Sequence, residues 1–258
     1  MSFAPRMSGH NRWSKIKRQK AISGVAKGRL YTKVIKEITV AARAGGGDPT
    51  GNARLRTALA AAHASNMPKD TIERAVKKGT GELEGQAYEE VLYEGYGPGG
   101  VAMLVECLTD NLNRTAGDVR SCFQKYGGGL GTPGSVKFAF AKRGIVTVKH
   151  GPSEDEVMEK ALEAGAEDVL DNGDDGFEVR TEPSRLHQVA DKLEKAGLPL
   201  SERKSVYLPA NTVKVEGDNA AKLLKLMEIL DENDDVQNVY ANFEMDDALL
   251  AKLSDASA

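Results

Sequence analysis

Near its start the chain carries His10-Asn-Arg-Trp-Ser-Lys-Ile-Lys-Arg-Gln-Lys20, an almost unbroken basic run interrupted by one tryptophan and one isoleucine. Arg12, Lys15, Lys17, Arg18 and Lys20 have the chemistry to neutralise phosphates, and the ring of Trp13 can stack on a base. The same ring could instead anchor the run against neighbouring helices while the cations stay solvated.

Other spacings promise chemistry and withhold it. Gly129-Leu-Gly-Thr-Pro-Gly134 matches the glycine pattern of a dinucleotide loop, which needs a strand before it and a helix after it. Here a helix precedes and a strand follows, and Pro133 removes a donor, so the segment reads as a turn. Asp171-Asn-Gly-Asp-Asp-Gly176 with Glu182 imitates a calcium loop. Gly173 stands where a ligand oxygen is required, Glu178 where an apolar residue packs, and the flanks read as strands. A hairpin turn fits better. His10, His63, His150 and His187 have no partner at ligand spacing, and no G-x-S-x-G, Cys–His pair or H-E-x-x-H occurs. Cys107 and Cys122 read as small apolar fillers in a strand and a helix. No catalytic set, metal site or cofactor is therefore predicted. Among the abundant carboxylates after residue 81, nothing marks out an acid pair.

The charge distribution points the same way as the basic run. The 258 residues carry a net charge of −3, yet residues 1–80 hold 17 Lys/Arg against 4 Asp/Glu. The remaining 178 hold 18 against 34, so +13 faces −16. Such asymmetry suggests a polyanion partner for the basic part, or pairing of that part with the acidic remainder of the chain. No apolar run is long enough to cross a bilayer, and the start lacks an apolar leader core, so a cytoplasmic protein is expected.

The elements that must position these residues follow from periodicity. Leu30, Val34, Ile35, Ile38, Ala41 and Ala42 recur at helical spacing over 29–43, with Arg29, Lys33, Lys36 and Arg43 expected opposite them as a row of phosphate-facing cations. Gly45-Gly-Gly-Asp-Pro49 turns the chain. A second helix is predicted over 52–63 and a third between Pro68 and a capping Gly79, with Arg74, Lys77 and Lys78 beside its small apolar face. Three such helices fit a small bundle. After a linker at 79–85, strands are expected at 88–96 and 101–108, a helix at 114–126 and a strand at 136–140. Residues 144–208 then read strand, helix, strand, strand, helix, strand, the order of a ferredoxin-like unit. A strand (212–215), a helix (220–230) and a strand (236–243) close the chain and could rejoin the earlier sheet.

Several of these segments together resemble the YebC/PmpR family of regulatory proteins. The resemblance rests on Gly9-His-Asn-Arg-Trp13, Tyr31-Thr-Lys-Val-Ile-Lys-Glu-Ile38, Gly46-Gly-Asp-Pro49, Asn66-Met-Pro-Lys-Asp70, Tyr93-Glu-Gly-Tyr-Gly-Pro-Gly-Gly100, Thr109-Asp-Asn-Leu-Asn-Arg-Thr115 and Gly128-Gly-Leu-Gly-Thr-Pro-Gly-Ser-Val136, and runs from Met7 onward. Two departures stand out: Asn11-Arg12 precedes the tryptophan where the family more often has Ser-Lys, and Ala21-Ile-Ser-Gly-Val25 is less charged than the family's pattern. Because the resemblance begins at Met7, that residue is the expected first residue of the functional chain.

The resemblance implies an α+β multidomain fold: an N-terminal helical bundle (1–80) and an α+β domain (81–143 with 209–258) into which a ferredoxin-like domain (144–208) is inserted. It also implies a non-enzymatic, DNA-binding regulator of gene expression. The alternative is a translation factor that binds ribosomal RNA and relieves stalled, proline-rich synthesis, as described for bacterial and mitochondrial relatives, the latter being translational activators of cytochrome c oxidase. A nuclease and an acidic protein-interaction adaptor are the remaining readings. Phosphate contacts carry no sequence information, so the basic residues alone do not choose between DNA and RNA.

Overall fold

The computed structural model describes residues 24–246, 248–250 and 253. The chain forms two compact units, one from the segment up to Ala139 together with that from Pro209, the other from Phe140–Leu208.

Three helices open the first unit: α1 (Gly24–Gly45), α2 (Ala53–Ala64) and α3 (Lys69–Thr80). Their shared core is Val34, Ile38, Ala41 and Ala42 from α1, Leu55, Ala58 and Ala62 from α2, Met67, and Ile72 and Ala75 from α3. Buried Asn52 joins two of them. Its Oδ1 accepts from the Leu55 N–H at the start of α2, and its Nδ2 donates to the Ala41 and Gly46 carbonyls at the end of α1. The capping glycine of α3 is not Gly79 but Gly81, at φ 83°. Gly79 lies inside the helix where α3 meets α1; a Cβ there would sit 2.5 Å from the Thr39 carbonyl oxygen and 2.6 Å from the Ala42 Cβ.

Strands β1 (Glu89–Tyr96) and β2 (Ala102–Thr109) pair antiparallel, followed by helix α4 (Leu112–Lys125) and the short strand β3 (Gly129–Leu130). The expected strand at 136–140 is instead a 3-10 turn at Lys137–Ala139, and β4 begins only at Phe140. The N–H groups of Val136 and Lys137 donate to the Glu94 carboxylate, so they are not available to a sheet ladder.

The second unit runs β4 (Phe140–Val148), α5 (Glu154–Ala164), β5 (Asp168–Asp171), β6 (Phe177–Thr181), α6 (Leu186–Lys195) and β7 (Leu200–Pro209). Its strand order, β5-β6-β4-β7, is ferredoxin-like. Val146 and Val148 of β4, Phe177 and Val179 of β6, Val157 and Ala161 of α5, and Val189 and Leu193 of α6 fill its core. The acidic 171–175 segment is the connection between β5 and β6.

The chain then returns to the first unit through β8 (Val213–Lys214), α7 (Gly217–Glu232), β9 (Val236–Ala241) and β10 (Phe243–Glu244). Strand β9 pairs antiparallel with β2, giving a sheet ordered β3-β1-β2-β9. Met103, Val105, Phe123, Leu223, Leu226, Met227 and Phe243 are among the buried residues of this core. The whole is an α+β multidomain fold with helices at its N-terminal end.

Candidate nucleic-acid interface

Of the cations and the ring singled out above, Arg12, Trp13, Lys15, Lys17, Arg18 and Lys20 lie outside the described residues. Arg29, Lys33, Lys36 and Arg43 are all on α1, and they separate into two groups.

Arg29, Lys33 and Lys36 do not form the solvent-facing row expected of them. They face the C-terminal end of α7 and the turn before β9, within the same unit. Arg29 pairs with Glu232 at 3.0 Å. Lys33 Nζ donates to the Asp231 carbonyl at 2.7 Å and its carboxylate at 3.1 Å. Lys36, only 7% exposed, donates to the Asp235 carboxylate at 2.5 Å and the Asp234 carbonyl at 2.9 Å. Helix α7 has no basic residue in its own last turn, so α1 supplies the cations that its free carbonyls and negative dipole end favour. The periodicity missed this because α1 is buried on two sides. One side is the apolar stripe; the other is built from half-buried Lys33 and buried Lys36 and Val40, a helical spacing disguised by two charges.

Asp235 is the centre of the seam. Besides Lys36 it accepts from Arg114 Nη2 at 2.8 Å, Thr115 Oγ1 at 2.7 Å and Thr109 Oγ1 at 3.3 Å. Burial pushes its carboxyl up, but the hydrogen bonds from Arg114, Lys36 and Thr115 outweigh burial and hold it at about 2. The Arg114 guanidinium is pushed up in turn by Asp235 and Asp110. The Lys36 ammonium also lies 5.5 Å from the Tyr88 ring centroid. A second tie forms nearby, where Arg54 of α2 bonds Glu37 through two nitrogens at 2.7 and 3.1 Å and reaches Glu90 of β1 at 2.6 Å. A polar cleft of about 560 Å³ runs along the seam, lined among others by Arg29, Thr32, Tyr88, Asp110 and Asp118.

Arg43 behaves differently. It is exposed in the last turn of α1, and Lys77 and Lys78 are exposed in the last turn of α3. The close approach at Gly79 brings these two helix ends together, since a Cβ on Gly79 would lie 3.2 Å from the Arg43 nitrogen. Arg74, one turn earlier on α3, is also exposed. The described part of the helical bundle thus presents Arg43, Arg74, Lys77 and Lys78 outward. The last three were not among the expected binding residues. The signal for them was present in the sharply two-faced pattern of 69–80, in which a small buried stripe of Ile72, Ala75 and Gly79 leaves the cations no inward position.

Among the described residues, no group of three or more His, Cys, Asp and Glu side chains could hold a metal ion. No described helix is long and apolar enough to cross a membrane.

A two-faced basic helical bundle, ion-paired to an α+β domain that is interrupted by a ferredoxin-like unit, defines a class of multidomain α+β proteins. The chain belongs to the TACO1/YebC family: its N-terminal domain matches residues 11–82, and its second and third domains match residues 88–243. A relative in Myxococcus xanthus (strain DK1622), named "Probable transcriptional regulatory protein", is 65% identical over 247 residues, covering 96% of this chain and 99% of its own. A relative of the same name in Acidithiobacillus ferrooxidans (strain ATCC 53993 / BNL-5-31) is 55% identical over 251 residues, covering 97% and 100%. The crystal structure of a conserved hypothetical protein from Aquifex aeolicus superposes with a TM-score of 0.78 at 46% identity, covering 91% of this chain and 94% of that one.

Proposed function

We propose that this protein is a non-catalytic regulator of gene expression that binds nucleic acid through the basic face of its helical bundle and the basic segment preceding it. The observation that carries this reading is the outward cluster Arg43, Arg74, Lys77 and Lys78. Three acidic groups of the same unit, Asp231, Glu232 and Asp235, are engaged with Arg29, Lys33 and Lys36, and Glu73 of α3 pairs with Lys69. What remains exposed is a cationic surface on a fixed scaffold, the electrostatic footprint of a phosphate-binding protein. The Myxococcus and Acidithiobacillus relatives are named probable transcriptional regulatory proteins, which supports a regulatory role.

A second reading, binding to RNA of the translation machinery, rests on the same cations. The exposed Lys and Arg of α1 and α3 meet the phosphates of RNA as readily as those of DNA.

The test is a salt titration of binding to duplex DNA and to structured RNA. If the four described cations engage duplex phosphates, log K falls against log salt with a slope of about −3 to −4, and more steeply if the segment before residue 24 adds contacts. Salt-insensitive affinity would sink the proposal, and cleavage of the bound strand by pure protein would move the chain into the enzymes. The preferred ligand at matched salt separates the two readings.

A further inference from the structure

The glycine-rich segment 129–136, a turn by its composition, is held in an unusual way. Glu94, 5% exposed, points its carboxylate into it and accepts the N–H groups of Gly134 at 2.7 Å, Val136 at 2.9 Å and Lys137 at 2.8 Å. The Glu94 carbonyl takes the Gly131 N–H at 2.8 Å. Three backbone donors converging on one carboxylate is what a phosphate loop would offer its ligand. Here the protein supplies the anion itself, so the loop is closed to phosphate and is instead rigid.

What this rigid loop displays is aromatic. Val136 is fully buried and anchors it, while Phe138, two residues on, is 79% exposed, far beyond the other exposed apolar side chains of the same unit. Lys137 beside it is exposed as well. Tyr96, 43% exposed, donates its hydroxyl to the Ser135 carbonyl at 3.0 Å and so is pinned to the same loop. Burying a phenylalanine is favourable, yet this ring stays in water beside a backbone held by Glu94.

We propose that Phe138 is a stacking platform for an unpaired base of a single-stranded nucleic acid segment, with Lys137 meeting the adjoining phosphate. Rings presented beside cations bind single strands without reading sequence, because every base has a π-face. Duplex DNA keeps its bases stacked and offers this ring nothing. Strand β1 links the platform to the basic bundle: Glu90 near its start bonds Arg54 of α2, and Tyr96 ends it six residues later. At roughly 3.3 Å per residue the two lie about 20 Å apart along the strand, a span one nucleic acid can bridge. The inference rests on the polyanion reading above and adds to it the kind of nucleic acid.

The experiment uses the full-length protein and three labelled ligands: an oligoadenylate, the same length of abasic strand, and duplex DNA, each followed by fluorescence anisotropy. Phe138→Ala should weaken oligoadenylate binding about 5- to 150-fold, the range of one lost base–aromatic stack, with the salt slope unchanged. Binding to the abasic strand and the duplex should not change. Phe138→Trp should bind oligoadenylate at least as well as the parent, and Phe138→Leu should behave like the alanine variant. The residue is so exposed that none of these substitutions should alter thermal stability. Wild-type oligoadenylate affinity in Phe138→Ala, with binding lost in Arg74→Ala/Lys77→Ala/Lys78→Ala, overturns the platform and leaves the polyanion reading standing. Full oligoadenylate affinity in Phe138→Leu, with binding weakened in Phe138→Ala, overturns stacking and leaves a merely apolar contact with the strand. No salt-dependent binding of any ligand by the wild-type protein removes both readings together.

Discussion

Asp235 collects four donors, from Lys36, Arg114, Thr115 and Thr109, and its folded pKa of about 2 lies below the ordinary 3.8. A carboxylate depressed on folding contributes stability that is fully present above its unfolded pKa and is lost as pH falls through the folded one. The expected loss is on the order of 2 kcal/mol between about pH 4 and pH 2. Asp235→Asn should remove that part of the acid limb in urea unfolding followed against pH; an unchanged limb would show that other carboxylates carry it. Lys36→Met leaves the buried carboxylate without its closest cation and should cost on the order of 3 kcal/mol at neutral pH, since breaking a buried pair strands a charge. None of this network was legible in the sequence. Lys33 and Lys36 look identical to exposed cations there, because their partners at 231–235 lie nearly two hundred residues away and nothing local marks a lysine as paired.

The elements themselves were more legible, and the places where they departed from expectation have local causes. The strand-helix order read over 144–208 is the observed one, and α5 carries its own stop signals: Ser153 caps it at its start and Gly165, at φ 89°, ends it. Helix α3 runs past Gly79 because a glycine at a helix crossing and a glycine at a helix cap look alike in sequence. The two roles predict opposite outcomes for one substitution. Gly79→Ala, despite the better helix propensity of alanine, should destabilise by roughly 1–3 kcal/mol, since the new methyl collides with the Thr39 carbonyl. Gly117→Ala, in the middle of α4 with open space around it, should stabilise by up to about 1 kcal/mol. Thermal unfolding of the two variants settles the matter, and shifts of the same sign would refute the assignment of Gly79 to the crossing. The missing strand at 136–140 has a different cause: the apolar alternation is real, but Glu94 captures the backbone donors first.

At the scale of the molecule, the charge contrast between the basic N-terminal part and the acidic remainder proves to be two features superimposed. One part is internal, with Arg29, Lys33 and Lys36 set against Glu232, Asp231 and Asp235; the other is the outward cluster at Arg43, Arg74, Lys77 and Lys78. Composition sums them and cannot tell them apart, yet salt and denaturant can. Replacing Arg74, Lys77 and Lys78 by alanine should remove up to three phosphate contacts and flatten the dependence of log K on log salt for duplex DNA by about 2 to 3. Thermal stability should hardly move, since exposed charges contribute little to it. Replacing Lys33 and Lys36 by alanine should do the reverse. Their partners are buried or half-buried and poorly screened, so the seam should weaken and the unfolding midpoint fall. The salt slope of the protein that remains folded should stay where it was, because neither ammonium faces solvent phosphate. Measuring both quantities on both variants gives a crossed pattern. A flattened slope in the Lys33/Lys36 variant at unchanged stability would mean that these lysines leave Asp231 and Asp235 to meet the nucleic acid, and that the seam opens when the protein binds.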